Sequence, residues 1–140
     1  MRKLGWILIA IAAVLVLLFL VWKNHGKTPA ASGGMEAVYH RLTPQEAKAR
    51  MDSGEKITVV DVRTAAEYAQ GHIPGAISLP NESIGTEQPA LLPDKSAEIL
   101  VYCRSGHRSR LASEKLVAMG YTAIYDFGGI IDWPYETVTD

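Results

Sequence analysis

From Tyr39 onward, short apolar runs alternate with amphipathic segments, and this alternation predicts strands that alternate with helices. The runs at residues 57–62 and 98–103 are mostly apolar and partly β-branched, which is typical of strands covered on both faces. We also expect shorter strands at 39–42, 76–79 and 122–125, and helices at 44–52, 64–70 and 109–119. Strands and helices in this order predict an α/β domain with a parallel sheet between helices.

The first part of the chain has a different pattern, because residues 4–22 are all apolar or glycine. As a helix at ~1.5 Å per residue, this run would reach ~28 Å, close to the hydrocarbon thickness of a bilayer. We therefore expect a transmembrane anchor in residues 1–24, a flexible linker in 25–36 and one folded domain in 37–140. A cleaved secretory signal is the alternative, although the run is longer than a usual signal core and lacks a good adjacent cleavage site.

Basic residues stand on both sides of the apolar run, with Arg2 and Lys3 before it and Lys23 and Lys27 after it. They nearly balance, but a short basic head before a long apolar run favours a cytoplasmic amino terminus. The sequence therefore predicts a single-pass membrane protein whose folded domain lies on the extracytoplasmic side.

Charge is distributed unevenly along the chain. All 15 acidic residues lie from Glu36 onward with 10 of the 14 basic ones, so this part carries a net charge of −5. A net-acidic domain argues against a nucleic-acid partner. The single cysteine excludes an intramolecular disulfide and a thiolate-rich metal site, and no histidine–carboxylate cluster suggests a metal. We expect neither a metal nor a cofactor.

The one cysteine, Cys103, lies at the predicted carboxyl end of a buried strand, where ligands gather in parallel sheets. The six residues after it contain a glycine and two arginines and lead into a helix. Such a turn directs several backbone N–H groups inward, and together with the helix dipole they favour a thiolate and then a bound anion. The predicted site therefore consists of the nucleophile Cys103 and the loop residues Arg104, Ser105, Gly106, His107, Arg108 and Ser109.

Residues around the loop have supporting roles in this prediction. Arg108, across the turn from the cysteine, is the better candidate of the two arginines for binding a donor anion. Asp61 and Arg63 lie at the end of a neighbouring strand and are expected to form an ion pair or backbone hydrogen bonds beside the site. An inert buried Cys103 is the alternative. Structural roles are predicted for Tyr68, His72, Tyr102 and Trp133, and a solvent-facing position for His107.

Several motifs agree in order and spacing with one protein family. They are Asp61-Val62-Arg63, Glu67-Tyr68, residues 71–80, residues 102–109, and Gly128-Gly129 followed by Trp133. Together they make residues 39–134 resemble the rhodanese homology domain. The resemblance implies a five-stranded parallel α/β domain that accepts sulfane sulfur as a persulfide on the loop cysteine. It also implies a small sulfur-containing anion such as thiosulfate, or a persulfide, as donor, and cyanide or a thiol as acceptor.

Loop length separates this family from the similar loops of tyrosine phosphatases and arsenate reductases. Those loops place five residues between cysteine and arginine, whereas four separate Cys103 from Arg108, and the smaller cradle suits one sulfur atom. A phosphatase or arsenate reductase is the weaker alternative, and a non-catalytic sulfur-relay or partner-docking module also stays open. Members of the family that use thiosulfate carry a cationic side chain near the position of Glu67, so a persulfide donor remains an alternative to thiosulfate.

Overall fold

Helices and parallel strands alternate along residues 38–140, which are the residues that the structure, a computed structural model, describes. The predicted anchor and the whole predicted linker lie outside the described residues. Within 38–140 no helix has the length and apolar character that crossing a membrane requires. The elements are β1 (His40–Arg41), α1 (Pro44–Met51), β2 (Ile57–Asp61), α2 (Ala65–Ala69), β3 (Ile77–Ser78), β4 (Glu98–Cys103), α3 (His107–Ala118) and β5 (Ile124–Gly129), with short 3-10 helices at Asn81–Ser83 and Ile130–Asp132.

The five strands form one parallel sheet in the order β1-β5-β4-β2-β3. This confirms the predicted five-stranded parallel sheet flanked by helices. Strand β4 lies at the centre, and its register on β2 places Asp61 opposite Tyr102. The carboxyl ends of β2 and β4 therefore meet at one edge of the sheet, where Cys103 is the last residue of β4.

Alternate residues of β4 face opposite sides of the sheet, as the pleat requires. Ile99, Val101 and Cys103 belong to the buried cluster that includes Leu116 of α3. On the other face, Leu100 and Tyr102 pack with a second cluster that includes Val59, Ala47, Phe127 and Trp133. Because Cys103 shares its face with α3, its side chain lies on the side of the sheet where that helix begins.

Thr43 caps the amino terminus of α1. Thr43 Oγ1 accepts from Glu46 N at 3.2 Å, and a Glu46 carboxylate oxygen accepts from Thr43 N at 2.7 Å. This reciprocal arrangement is a capping box, with Pro44 at the first helical position. Thr64 and Glu67 form the same box at α2.

Two elements differ from the prediction by two residues or more at one end or both, whereas the boundaries of the other predicted helices and strands agree within one residue. Helix α3 begins at His107 rather than Ser109, because Gly106 adopts a left-handed conformation (φ 100°) that turns the chain directly into the helix. Strand β5 continues to Gly129 rather than ending at Tyr125, because its last residue pairs with Cys103 beyond a register shift in β4. Pairing with a central strand here overrides the low strand propensity of a glycine pair.

Candidate active site

Cys103 is buried but faces the loop that follows it. The residue is only 1% exposed, and its Sγ accepts a hydrogen bond from the backbone N–H of Gly106 at 3.0 Å. A backbone N–H directed at sulfur presents positive charge to an anion held there. The alternative of an inert packing cysteine turned away from the loop does not agree with this geometry.

Helix α3 adds to the positive potential around the loop. Its twelve residues start directly after Gly106, which is the residue that also donates to Cys103 Sγ. The first N–H groups of a helix have no partner within the helix, and its amino terminus carries the positive end of the helix dipole. The loop therefore lies between the end of a central strand and the start of a helix, as the sequence indicated.

The loop rests directly on the end of β5. A Cβ atom at Gly129 would lie 2.1 Å from the carbonyl oxygen of Arg104 and 2.6 Å from the Cα of Ser105. Ile131 N donates to the same Arg104 carbonyl at 3.2 Å. Ser109 Oγ adds hydrogen-bond contacts to the carbonyl oxygens of Gly106 at 3.1 Å and Gly128 at 3.3 Å. The loop position thus depends on glycine at 129.

The role of Gly129 was not predicted from the sequence, where the glycine pair served only as one of the family motifs. The signal that could have revealed its role was two adjacent glycines within the family motif, since glycine is needed where another backbone approaches closely. Asp126 was also missed. It is fully buried, and its Oδ1 accepts from Gly128 N at 3.0 Å, so it helps to shape the end of β5 under the loop.

Asp61 and Arg63 form a buried ion pair beside the site. Arg63 donates to both oxygens of Asp61 through Nε at 3.0 Å and to Oδ2 through a terminal nitrogen at 2.6 Å. Asp61 Oδ1 also accepts from the backbone N–H of Arg63 at 2.9 Å, and the guanidinium donates to the carbonyl oxygen of Gly71 at 2.7 Å. The pair therefore ties the end of β2 to the chain before β3, and both carboxylate oxygens of Asp61 are bonded to Arg63.

Arg108 is engaged by a carboxylate from a distant part of the chain. Its two terminal nitrogens donate to the two oxygens of Glu67 at 2.7 and 2.9 Å, forming a bidentate ion pair. The Arg108 guanidinium, with the hydrogen bonds from Thr64, holds the pKa of Glu67 at about 2, well below its usual value. Arg104, in contrast, is exposed and makes no ion pair within residues 38–140.

A surface pocket of about 490 Å³ lies beside Arg104. It is open to solvent and mixes charged and apolar groups, including Ile131, which is 63% exposed. The pocket is lined by Arg63, Glu67, Gln70, Gly71, Arg104, Ile130 and Ile131. It therefore offers one free cation, one carboxylate already in an ion pair and an apolar wall next to the loop.

His72, Tyr102 and Trp133 are buried, which agrees with the structural roles predicted for them. His72 is 2% exposed, its Nδ1 lies 3.0 Å from the carbonyl oxygen of Tyr68, and the two rings stack at 3.7 Å between centroids. Tyr102 is fully buried and accepts from Ile73 N at 3.1 Å. Trp133 packs on Phe127, and His107 is exposed. In the described part of the chain, histidine, cysteine and acidic side chains form no group that could hold a metal ion.

A cysteine at the carboxyl edge of a parallel α/β sheet, facing a loop N–H at the start of a helix, is an arrangement suited to nucleophilic group transfer. The family model described as "Rhodanese-like domain" matches residues 43–134. The chain belongs to the rhodanese-like domain family.

Relatives with described activities share this domain. Thiosulfate sulfurtransferase PspE of Escherichia coli is 38% identical over 52% of this chain and 70% of its own length. A sulfurtransferase of Allochromatium vinosum is 40% identical over 60% of this chain and 78% of its own. Thiosulfate sulfurtransferase GlpE of Pseudomonas fluorescens is 34% identical over 65% of this chain and 80% of its own.

Solved structures agree with the fold. A rhodanese from E. coli, solved with anions, superimposes with a TM-score of 0.56 at 34% identity, covering 61% of this chain and 100% of that one. A rhodanese-like domain protein from Staphylococcus aureus gives a TM-score of 0.62 at 31% identity, covering 72% of this chain and 98% of that one. The chain is thus a rhodanese-family domain with sulfurtransferase relatives.

Proposed function

We propose that this protein is a sulfurtransferase that moves sulfane sulfur from thiosulfate or a persulfide to a thiophilic acceptor, through a persulfide on Cys103. The observation that carries the proposal is the 3.0 Å contact from Gly106 N to Cys103 Sγ, at the carboxyl edge of the sheet. The similarity to sulfurtransferases of 34–40% identity supports the same reaction class.

The first half-reaction is a displacement at sulfur. The Cys103 thiolate attacks the outer sulfur of the donor, a new S–S bond forms to Sγ, and the bond from that sulfur to the rest of the donor breaks. The electron pair of the broken bond leaves with sulfite when the donor is thiosulfate, or with a thiolate when it is an organic persulfide. In the second half-reaction, cyanide or a thiolate attacks the terminal sulfur, forming thiocyanate or a new persulfide and returning the Cys103 thiolate.

The loop residues have distinct tasks in this scheme. Backbone N–H groups of residues 104–109 hold the charge on the terminal sulfur of the bound persulfide, much as an oxyanion hole holds an alkoxide. Arg104 attracts the anionic donor to the pocket, since it is exposed and makes no ion pair in the described range. The Asp61–Arg63 pair keeps the end of β2 in place beside the loop.

A sulfur-relay role is the second candidate. Putative sulfur carrier protein YrkF of Bacillus subtilis is 32% identical over 64% of this chain and 48% of its own length. A carrier would load Cys103 once and release the sulfur only to a partner. A phosphatase or arsenate reductase stays weaker, because four residues rather than five separate Cys103 from Arg108.

Turnover distinguishes these candidates. The full-length protein is incubated with cyanide and either thiosulfate or cysteine persulfide, and thiocyanate is measured over time beside a Cys103→Ser control. Many equivalents of thiocyanate per protein, lost in the control, are expected of the enzyme. A Cys103 that gains one sulfur but yields no more than one equivalent of thiocyanate, with no increase over time, would instead favour the relay. Cys103-dependent hydrolysis of an aryl phosphate would favour the phosphatase.

We also propose that residues 4–22 anchor the domain to a membrane, with the domain on the extracytoplasmic side. The proposal rests on the uninterrupted apolar run and the basic residues before it. A protease added to intact cells or spheroplasts should release the domain. Protection of the domain until the membrane is permeabilised would contradict the proposed side, and recovery of the whole protein in the soluble fraction would contradict the anchor.

A further inference from the structure

Glu67 is fixed in place by the chain around it. One of its carboxylate oxygens accepts from Thr64 N at 2.9 Å and from Thr64 Oγ1 at 3.0 Å, closing the capping box of α2. The same carboxylate spans Arg108 with two bonds. The Glu67 side chain is therefore already fixed before it pairs with Arg108, so forming the ion pair costs less side-chain conformational entropy.

The ion pair changes the charge that a donor meets. Arg108 is one of the two loop arginines, and its positive charge is matched by the full negative charge of Glu67. Arg104 is then the loop arginine that makes no ion pair in the described region. A doubly charged donor that approaches a cysteine thiolate is repelled twice as strongly as a singly charged one. Because Glu67 neutralises Arg108, only Arg104 of the two loop arginines is left to offset this repulsion.

The pocket next to the loop also suits a donor with an organic part. Its volume of about 490 Å³ exceeds what a five-atom anion fills, and Ile130 and Ile131 form part of its wall. An organic persulfide that carries one carboxylate could place this group near Arg104 and its carbon atoms near the isoleucines. Thiosulfate has no apolar part to use this wall.

We propose that Glu67 determines donor specificity by reserving Arg108, so that the site favours a singly charged, carboxylate-bearing organic persulfide over thiosulfate. This inference rests on the proposed sulfurtransferase function. In the favoured step, the Cys103 thiolate bonds to the terminal sulfur of the donor, the donor S–S bond breaks, and the organic part leaves as a thiolate with the electron pair.

The direct test is Glu67→Gln, which keeps a hydrogen-bond acceptor for the capping box but removes the charge that matches Arg108. We expect kcat/KM for thiosulfate to rise ~10-fold, mainly through a lower KM. The reason is that the attraction between an unpaired arginine and a dianion near the protein surface is large enough to change binding by about this factor. For cysteine persulfide the change should stay below ~3-fold.

Glu46→Gln is the matched control, since Glu46 closes the same box with Thr43 at α1 and makes no contact with the loop. This variant should leave both donors unchanged. An equal gain for both donors in Glu67→Gln, no gain for thiosulfate, or the same gain in Glu46→Gln would overturn the inference. The gain should also disappear in Glu67→Gln/Arg108→Gln, and a gain that persists there would show that Glu67 does not act through Arg108.

If Glu67→Gln does not fold, a measurement on the unmodified full-length protein tests the same inference. Sulfate, a dianion without a transferable sulfur, should inhibit cysteine persulfide turnover no more than chloride at equal ionic strength. Strong competitive inhibition by sulfate would overturn the inference. If Cys103 accepts sulfur from neither donor, the proposed function itself is contradicted. If Cys103 accepts sulfur from both donors and Glu67→Gln leaves the thiosulfate kinetics unchanged, only the role of Glu67 is contradicted.

Discussion

Replacing Gly129 by alanine should disable the loop without removing any group that takes part in the chemistry. A Cβ at this position would lie 2.1 Å from the Arg104 carbonyl oxygen, where real contacts are essentially never shorter than 3.0 Å. The neighbouring atoms are backbone, so no side chain can rotate away. The loop or the end of β5 must move by roughly 1 Å, and a displacement of this size at reacting groups costs ~10²-fold in rate.

The same displacement also has a cost in stability. It weakens the bond from Ile131 N to the Arg104 carbonyl and overpacks the contact between strand and loop, which typically costs about 1–3 kcal/mol. We therefore expect Gly129→Ala to fold with a lower Tm and to show ~10²-fold lower kcat/KM in the thiocyanate assay.

Gly85→Ala is the matched control, because a Cβ at Gly85 meets nothing within 4 Å and its φ lies outside the left-handed region. Its activity and Tm should stay near those of the unmodified protein. The reasoning would be refuted by a folded Gly129→Ala variant that retains nearly full activity, since the loop would then not depend on its close contact with β5.

Three further predictions concern charged groups. Asp61→Asn leaves the buried Arg63 without a counter-charge and should lower the free energy of unfolding by about 3–5 kcal/mol in urea titrations; a loss below ~1 kcal/mol would contradict the buried pair. The pKa of Glu67 is lowered to about 2 in the folded protein, so its carboxylate stabilises the fold above its usual pKa of 4.5, and this contribution is lost as the pH falls toward 2. Thermal melts should show a steeper loss of Tm over that pH range in the unmodified protein than in Glu67→Gln, and parallel curves would argue against the ion pair. Arg104→Gln should raise KM for anionic donors ~10-fold with little change in kcat, and a fall in kcat alone would contradict a binding role.

Local patterns in the sequence were sufficient for most of the sheet. The run at 98–103 is a strand with the predicted bounds, because its short length and its β-branched residues favour a strand over a helix. The start of α1 at Pro44 was also predicted correctly, since a threonine before a proline is a local signal for the first turn of a helix. These features depend on neighbours in the chain.

Contacts between residues far apart in the sequence could not be predicted from such local patterns. The Arg108–Glu67 pair joins residues 41 positions apart, and no local pattern indicates that a capping carboxylate also spans an arginine of the loop. The sequence therefore pointed to Arg108 as the donor-binding cation, whereas the structure leaves Arg104 as the loop arginine that makes no ion pair with the described residues. The length of β5 and the close contact at Gly129 likewise follow from pairing with β4, which only the folded sheet reveals.

The central claim is that Cys103 carries sulfur, and intact-protein mass spectrometry tests it most directly. After the full-length protein is mixed with thiosulfate or cysteine persulfide and desalted, we expect a mass gain of one sulfur atom that cyanide removes and that Cys103→Ser does not acquire. A folded protein that gains no sulfur from either donor, or a gain that Cys103→Ser retains, would contradict the account.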